Sequence, residues 1–229
     1  IGVYAFLAQR NLFSCLIFRG VRVYLCDGAT LASSGSYAAY GVVHCSLLNQ
    51  VEKGYEYGNF SLQLAEAFGH DTAIISSKQV FNGFIRHWKE PLRESLQPLL
   101  WVHRRSMEVA ELEYVAHSAN LYVAHEFYAG VDLDEVRRDA EKYYRVLSRI
   151  GLKNLSLYTA LFQQFMLNLM GQSNDPFQLE GKLYNPDAQK IKEIEQSDPT
   201  LLFYFHLCAL QLGVTLDRDE GLDQHVAEI

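Results

Sequence analysis

The chain has 229 residues, of which 20 are Lys or Arg and 27 are Asp or Glu, so its formal net charge is −7. With 49% hydrophobic and 21% charged residues, the composition excludes a disordered chain and predicts a soluble globular protein with one large domain or two small ones. The acidic charge, with no stripe of Lys or Arg, argues against nucleic acid or an anionic membrane as the main partner.

The N-terminal region, residues 1–34, is predicted to be a helix that continues a repeat lying upstream. The first residue is Ile1, and no basic segment precedes a signal-like apolar stretch, so we expect a cytoplasmic segment of a longer chain. Arg19 and Arg22 interrupt the apolar stretch at residues 12–25, which is too short for a membrane span. The four cysteines lack CxxC spacing and are expected to be buried, reduced thiols: Cys15, Cys26, Cys45 and Cys208.

Helical periodicity begins after this region. Small and apolar residues recur every three or four positions over residues 36–48, and residues 33–36 are interpreted as a loop with a helix cap. The second helix is predicted over Val51–Phe68 and ends at Gly69. A third follows over residues 74–88 despite Gly83, and a further helix is expected to begin at Pro91 and to restart near Pro98.

Four more helices are predicted along the rest of the chain. They cover residues 111–128, 132–150, 155–170 and 201–212. Acidic residues at the start of the second of these, Arg145 and Arg149 at its end and Gly151 after it are typical helix signals. Residues 171–199 hold three Asx-Pro or Asx-Asp-Pro turns and are predicted to be a loop, and residues 217–228 an acidic tail.

The spacing of the helices indicates a repeat architecture. The second helices of three successive pairs begin near Val51, Pro91 and Val131, and these starts are spaced by 40 residues. Such a period is typical of tetratricopeptide-type α-solenoids, in which one helix pair buries its apolar face on the next. We therefore predict an all-α, right-handed solenoid of about five helix pairs with an irregular last pair. Repeats would occupy residues 35–171, and a loop, a final helix and the tail would occupy residues 172–229.

No motif for catalysis or metal binding is present in the sequence. There is no phosphate-binding glycine loop, no kinase catalytic loop and no HExxH, because Ala129 stands where the second histidine is required. His117 and His125 lie eight positions apart and are too few for a zinc site, so no metal and no cofactor are expected. Four aromatic residues are predicted to pack in the core or between repeats: Trp88, Trp101, Tyr143 and Tyr144.

Specific stretches resemble a known group of proteins. SYAAYG at residues 36–41, GYEYG at 54–58 and LAEAF at 64–68 resemble a degenerate tetratricopeptide unit. FIRHWK at 84–89 with LRESL at 92–96, ELEY at 111–114, and LEG at 179–181 are similar to the helical region of very large signalling proteins. In those proteins a serine/threonine kinase-like domain and an AAA-type (STAND-class) ATPase precede the helical region, and GAF or PAS sensors and a histidine kinase follow it. The resemblance covers residues 39–214 and carries no active-site residue.

The resemblance implies a non-catalytic scaffold that couples ATPase or kinase modules to sensor domains. Its partner would be a protein or peptide, for example another domain of the same parent chain. The expected contact surface is a concave face with seven polar or amphipathic residues: Tyr40, His44, Asn82, Arg86, His117, Asn120 and Tyr158. Ordinary hydrogen bonding between repeats is the alternative role for each of them. A free-standing adaptor, an oligomerisation module and a helical enzyme without a motif remain alternative functions.

Overall fold

A computed structural model describes residues 10–185, 198–217 and 222–228 of the chain. In this part of the protein the regular structure is entirely helical and contains no strand, which confirms the predicted all-α class. The chain divides into two compact units, Ile1–His125 and Glu126–Ile229. Four stretches lie outside the described residues: 1–9, 186–197 in the predicted loop, 218–221 in the predicted acidic tail, and 229.

The first unit is built from consecutive helices joined by short turns. They are α1 (Arg10–Asp27), α2 (Leu31–Ser46), α3 (Val51–Phe68), α4 (Asp71–Val80), a π turn (Phe81–Ile85), two 3-10 turns (Arg86–Trp88 and Leu92–Ser95), α5 (Leu96–Glu108) and α6 (Leu112–Tyr128). The division between the units falls within α6. The second unit contains α7 (Leu133–Arg149), α8 (Lys153–Leu169), α9 (Pro199–Thr215) and α10 (Leu222–Glu228).

The predicted loop at residues 33–36 is wrong, because these residues lie inside α2. The helix begins earlier than expected, since the Ser33 hydroxyl accepts a hydrogen bond from the backbone N–H of Thr30 at 2.7 Å. Two further serine hydroxyls bond back to carbonyl groups of the preceding turn, Ser34 to Leu31 and Ser36 to Ala32. Serines that favour a loop in isolation are thus accommodated in the first turns of a helix.

Glycines let α2 and α3 approach backbone to backbone. A Cβ atom on Gly41 would lie 2.7 Å from the carbonyl oxygen of Gly54, and a Cβ on Gly54 would lie 2.7 Å from that of Gly41. On Gly58 it would meet the Phe81 ring at 2.6 Å. Phe81 and Ile85 form a buried cluster with Cys45 beside this contact. The core of the first unit therefore depends on the absence of side chains at three positions.

The predicted helix at residues 74–88 is only partly regular. The α-helix extends over Asp71–Val80 and continues as the π turn Phe81–Ile85. Gly83 lies in this turn, where a Cβ would meet the Leu121 side chain at 2.8 Å. The predicted restart near Pro98 is confirmed: α5 begins at Leu96, which places Pro98 in its first turn, where no backbone N–H is required.

Side-chain caps fix the helices of the second unit. Asp132 caps α7 by accepting from the backbone N–H of Asp134 at 3.0 Å, and Gly151 has φ 87° beyond its end, as predicted. Asp198 caps α9 in the same way, so the predicted turn at Asp198-Pro199 is instead a helix start. Its proline occupies the first helical position, where the missing N–H costs nothing.

The predicted loop after α8 is tied to that helix by one buried amide. The Nδ2 atom of Asn168 donates to the carbonyl oxygens of Asp175, Pro176 and Gln178 at 3.2, 3.1 and 2.7 Å. Tyr184, which is fully buried, stacks on Phe205 of α9. The described part of the loop is therefore packed against its own unit.

The helix starts keep the predicted 40-residue period only in part. α3 begins at Val51 and α7 at Leu133, but α5 between them begins at Leu96, and it is the 3-10 turn before α5 that begins at Leu92, 41 residues from each. In the first unit α2 packs on α3, and both contact α4; in the second, α7 packs on α8. The stacking of such pairs into a tetratricopeptide-like superhelix stays a prediction.

α1 is more exposed than the sequence suggested. Its thiols Cys15 and Cys26 are exposed and free, whereas Cys45 and Cys208 are buried and free as expected. Among the side chains of α1 whose burial is described, only Ile17 and Val21 belong to the core, and four large apolar ones are exposed: Leu12, Phe18, Val23 and Leu25. The expectation of four buried thiols is wrong because the apolar residues of α1 are distributed around the helix rather than along one face.

Substitution of Gly54 by alanine tests the close approach of α2 and α3. We expect Gly54→Ala to lower the free energy of unfolding by about 1–3 kcal/mol, because the new methyl group would overlap the Gly41 backbone. Urea unfolding followed by circular dichroism measures the change. Gly35→Ala is the control, since a Cβ there meets no atom nearer than Ser76 Oγ at 3.8 Å and alanine favours the helix. Equal effects of the two substitutions would contradict the packing argument.

Candidate functional site

An open groove of about 320 Å³ lies on the first unit where α3, α4, the π turn and α5 meet. We call it the Trp101 groove. Its lining is half apolar or aromatic and half polar: Leu62, Lys78, Phe81, Asn82, Arg86, Gln97, Pro98 and Trp101. The π turn contributes Phe81 and Asn82, and the restart of α5 at Pro98 places Trp101 one turn further along the same helix.

Trp101 was predicted to pack in the core or between repeats, and the structure excludes the first of these. Its side chain is 42% exposed, and the Lys78 ammonium lies 5.1 Å from the centre of its ring. This distance is that of a cation–π contact. Trp88 is also exposed, whereas Tyr143 is buried as predicted. The sequence signal for Trp101 was its position three residues after Pro98, at the start of a helix whose inward face was already supplied by Leu99 and Val102.

Asn82 and Arg86, both predicted site residues, lie together in the groove. The Arg86 guanidinium donates to Glu90 Oε2 at 2.7 Å, to Asn82 Oδ1 at 3.2 Å and to the Glu94 carbonyl at 3.0 Å. Tyr55 of α3 donates its hydroxyl to the other Glu90 oxygen. The hydrogen bonds from Tyr55 and Arg86 hold the pKa of Glu90 below its ordinary value. Arg86 is thus a fixed cation at one end of the groove.

Tyr40 and His44 lie on α2 where it contacts α3, and they do not line the groove. The ring of His44 packs edge-on against Tyr40 at 4.5 Å and stacks on Tyr57 at 5.2 Å. Its Nδ1 atom is 3.0 Å from Gln50 Oε1, and its buried Nε2 has no partner among the described residues. The contacting rings leave no space for a ligand, so this cluster joins two helices of one pair.

The other three predicted residues lie elsewhere. His117 pairs with Glu113 one turn before it at 3.8 Å, and Asn120 is half-buried on the same helix. In the second unit the Tyr158 hydroxyl donates to both carboxylate oxygens of Asp198, at 2.9 and 2.8 Å. Burial and this hydrogen bond raise the pKa of Tyr158. Tyr158 therefore supports the residue that caps α9.

A serine–histidine contact in the first unit has the atoms of a catalytic dyad but not the access. His125 Nδ1 lies 2.7 Å from Ser95 Oγ, which itself donates to the Leu92 carbonyl at 2.6 Å. Ser95 has no exposed surface, and neither residue lines the Trp101 groove. A substrate therefore has no path to the hydroxyl, and the contact can serve only to join the turn before α5 to α6.

Burial also sets the charge of His125. Desolvation lowers its pKa to about 4, and the neighbouring His87 ring, 6.3 Å away, adds to the shift. Burial also lowers the pKa of His87. The pair is neutral near pH 7 and becomes charged only in acid.

Comparisons of the chain with models of protein families, with curated proteins and with solved structures found no match. Within the described ranges, no three His, Cys, Asp or Glu side chains converge as a set of metal ligands. None of the helices in that part of the chain has both the length and the apolar character of a membrane span.

Acid unfolding tests the buried state of His125. Between pH 6.5 and 4 the unfolded chain binds a proton at this histidine and the folded chain does not, so stability falls as the pH falls. The shift predicts a loss of about 3 kcal/mol from this residue between pH 7 and pH 4.

The measurement is the free energy of unfolding as a function of pH for the wild type and His125→Gln. We expect the variant to have the shallower slope over this range, whatever its stability at pH 7. Identical slopes for the two proteins would refute a buried neutral His125.

Proposed function

We propose that the chain is a non-catalytic helical scaffold that binds a peptide or protein segment in the Trp101 groove. The observation that carries the proposal is the groove itself, an open cavity beside a tryptophan that the fold leaves 42% exposed. Tryptophan and arginine are enriched where protein interfaces concentrate their binding energy. Both are present here, and hydrogen bonds hold the arginine in place before any partner arrives.

The size and openness of the groove favour a peptide over a large cofactor. A volume of about 320 Å³ is at the low end of ligand pockets and suits one bulky side chain with its neighbours. The lining combines four polar residues with four apolar or aromatic ones. This combination is typical of an interface with an apolar anchor and a polar rim.

We further propose that this scaffold belongs to a cytoplasmic multidomain signalling protein. It would couple ATPase or kinase modules to sensor domains through protein contacts. The support is the resemblance of residues 39–214 to the helical region of such proteins and the 41-residue spacing that separates the start of α3, the 3-10 turn at Leu92 and the start of α7. The helical region would transmit contacts, and the chemistry would belong to neighbouring domains.

The alternative functions have weaker support. For an enzyme, the strongest arrangement is Ser95 with His125, and burial closes it to substrates. For an oligomerisation module, the exposed apolar residues of α1 are the supporting observation, but they follow no single stripe. A free-standing adaptor would use the same groove, so it differs from the main proposal only in the surrounding domains.

The groove is tested by selecting peptides from a random display library on the full chain and measuring their binding by tryptophan fluorescence. The chain has two tryptophans, so Trp88→Phe leaves Trp101 as the only reporter. We expect selected peptides to shift its emission saturably. Trp101→Ala removes this reporter, so the affinity of this variant is measured by the fluorescence anisotropy of a dye-labelled selected peptide. The substitution should weaken binding about 30-fold, the effect of losing a dominant interface residue.

Trp88→Ala is the matched control, because Trp88 is 44% exposed and lies outside the groove. Its effect should stay within about twofold, as for most surface substitutions. Selected peptides that bind the Trp101→Ala variant as tightly as the wild type would refute the groove as the binding site.

The parent protein is tested by sequencing the reading frame on both sides of these residues. We expect a phosphate-binding ATPase loop upstream and GAF, PAS or histidine-kinase sequences downstream. A frame that encodes only this chain would reject the multidomain proposal and leave the adaptor.

A further inference from the structure

The polar groups that the Trp101 groove offers to a ligand are nearly all hydrogen-bond donors. No carboxylate is among its eight lining residues. Lys78 carries N–H donors only, and the indole of Trp101 adds one more N–H, whereas hydrogen bonds within the protein already use most of the Arg86 donors. Gln97, which is exposed, supplies the only amide oxygen not used within the groove. A ligand that fits must therefore bring acceptors.

Asn82 does not change this balance, because both ends of its amide are occupied. Its Nδ2 atom donates to the Lys78 carbonyl at 2.7 Å, and its Oδ1 atom accepts from Arg86 at 3.2 Å. With 3% of its surface exposed, Asn82 is a buried residue of the lining. It positions Arg86 and leaves no acceptor for a ligand.

Lys78 is the cation most able to change partners. Its ammonium lies 3.6 Å from a carboxylate oxygen of Glu66, whose side chain is 61% exposed. An ion pair of this length between exposed groups is weak, and water or salt competes with it. An ammonium group has three donors, so a ligand carboxylate can join or replace Glu66 while the Trp101 ring keeps the ammonium over the groove.

The apolar part of the groove defines the second requirement. This part consists of Leu62, Phe81, Pro98 and Trp101. This surface gains free energy only by covering an apolar side chain, because water makes no good hydrogen bonds there. The ligand therefore combines a bulky apolar side chain with neighbouring carboxylates.

We infer that the Trp101 groove binds an acidic peptide segment of a partner protein, with one aromatic or large aliphatic residue between Asp or Glu residues. This inference rests on the proposed function and specifies the chemistry of its partner. Because the net charge of −7 makes the protein as a whole repel an acidic peptide, a preference for such a peptide must come from a local site.

Three synthetic peptides test the inference by fluorescence titration of the Trp88→Phe protein. The acidic probe is acetyl-GEDFEDG-amide. Its neutral match is acetyl-GQNFQNG-amide, and acetyl-GEDAEDG-amide lacks the aromatic ring. We expect the acidic probe to bind at least about tenfold more tightly than either of the others, since one charged hydrogen bond or one buried aromatic ring is worth about that much. Its affinity should fall as salt is raised.

Lys78→Gln in the same protein should remove most of the preference for the acidic probe over the neutral one. Lys53→Gln is the matched control, because Lys53 is an exposed lysine of α3 that does not line the groove. Thermal unfolding of both variants verifies that they remain folded. An equal loss with the two variants would overturn the inference, since the attraction would then be non-local.

The experiments distinguish a failure of this inference from a failure of the proposed function. Library peptides that bind at Trp101 while the acidic and neutral probes bind equally would overturn the acidic preference and leave the groove as a docking site. If neither the library nor any probe perturbs Trp101 up to millimolar peptide, both the inference and the proposed function are wrong.

Discussion

The close approach of α2 and α3 is the constraint on which the first unit depends. Where Gly41 meets Gly54, the two backbones are nearer than any side chain would permit, and the space beside them is filled by Phe81 and Ile85. Those two residues begin and end the π turn. Because the turn is held by this packing, the polar residue inside it, Asn82, and the cation that follows, Arg86, are fixed in position. The groove is a consequence of how two other helices pack.

The groove also depends on an interruption in the next helix. Pro98 cannot lie within a helix interior, so α5 begins at Leu96 and its inward face is formed by Leu99 and Val102. Trp101 is then directed outward, where the Lys78 ammonium covers its ring. Two local irregularities, the π turn and the restart at Pro98, therefore bring cations and an aromatic side chain together in a unit that is otherwise regular.

Of the seven residues predicted to form one contact surface, only Asn82 and Arg86 line the groove. The prediction assumed that polar residues on helices rich in small residues form a contact surface, because a packed seam would otherwise be apolar. In several cases the polar group is instead hydrogen-bonded within the chain: His44 to Gln50, and Tyr158 to Asp198. Trp101 and Lys78 were missed because tryptophan is usually buried and a single lysine carries no signal. Their proximity is visible only when α4 and α5 are placed side by side.

The sequence by itself determined most of the helices and several of their ends, but not α10, which forms within the predicted acidic tail. The period of apolar residues, the Asp132 cap, and the glycines after α3 and α7 act within a few residues, so they can be recognised without the fold. Tertiary structure alone decided which polar groups are satisfied and which aromatic ring stays exposed. The Tyr55 hydroxyl donates to Glu90, which is 35 positions away in the sequence, and the Tyr158 hydroxyl donates to Asp198, which is 40 positions away. The physical reason is that periodicity and capping are local interactions, whereas pairing and exposure depend on which helices are neighbours in space.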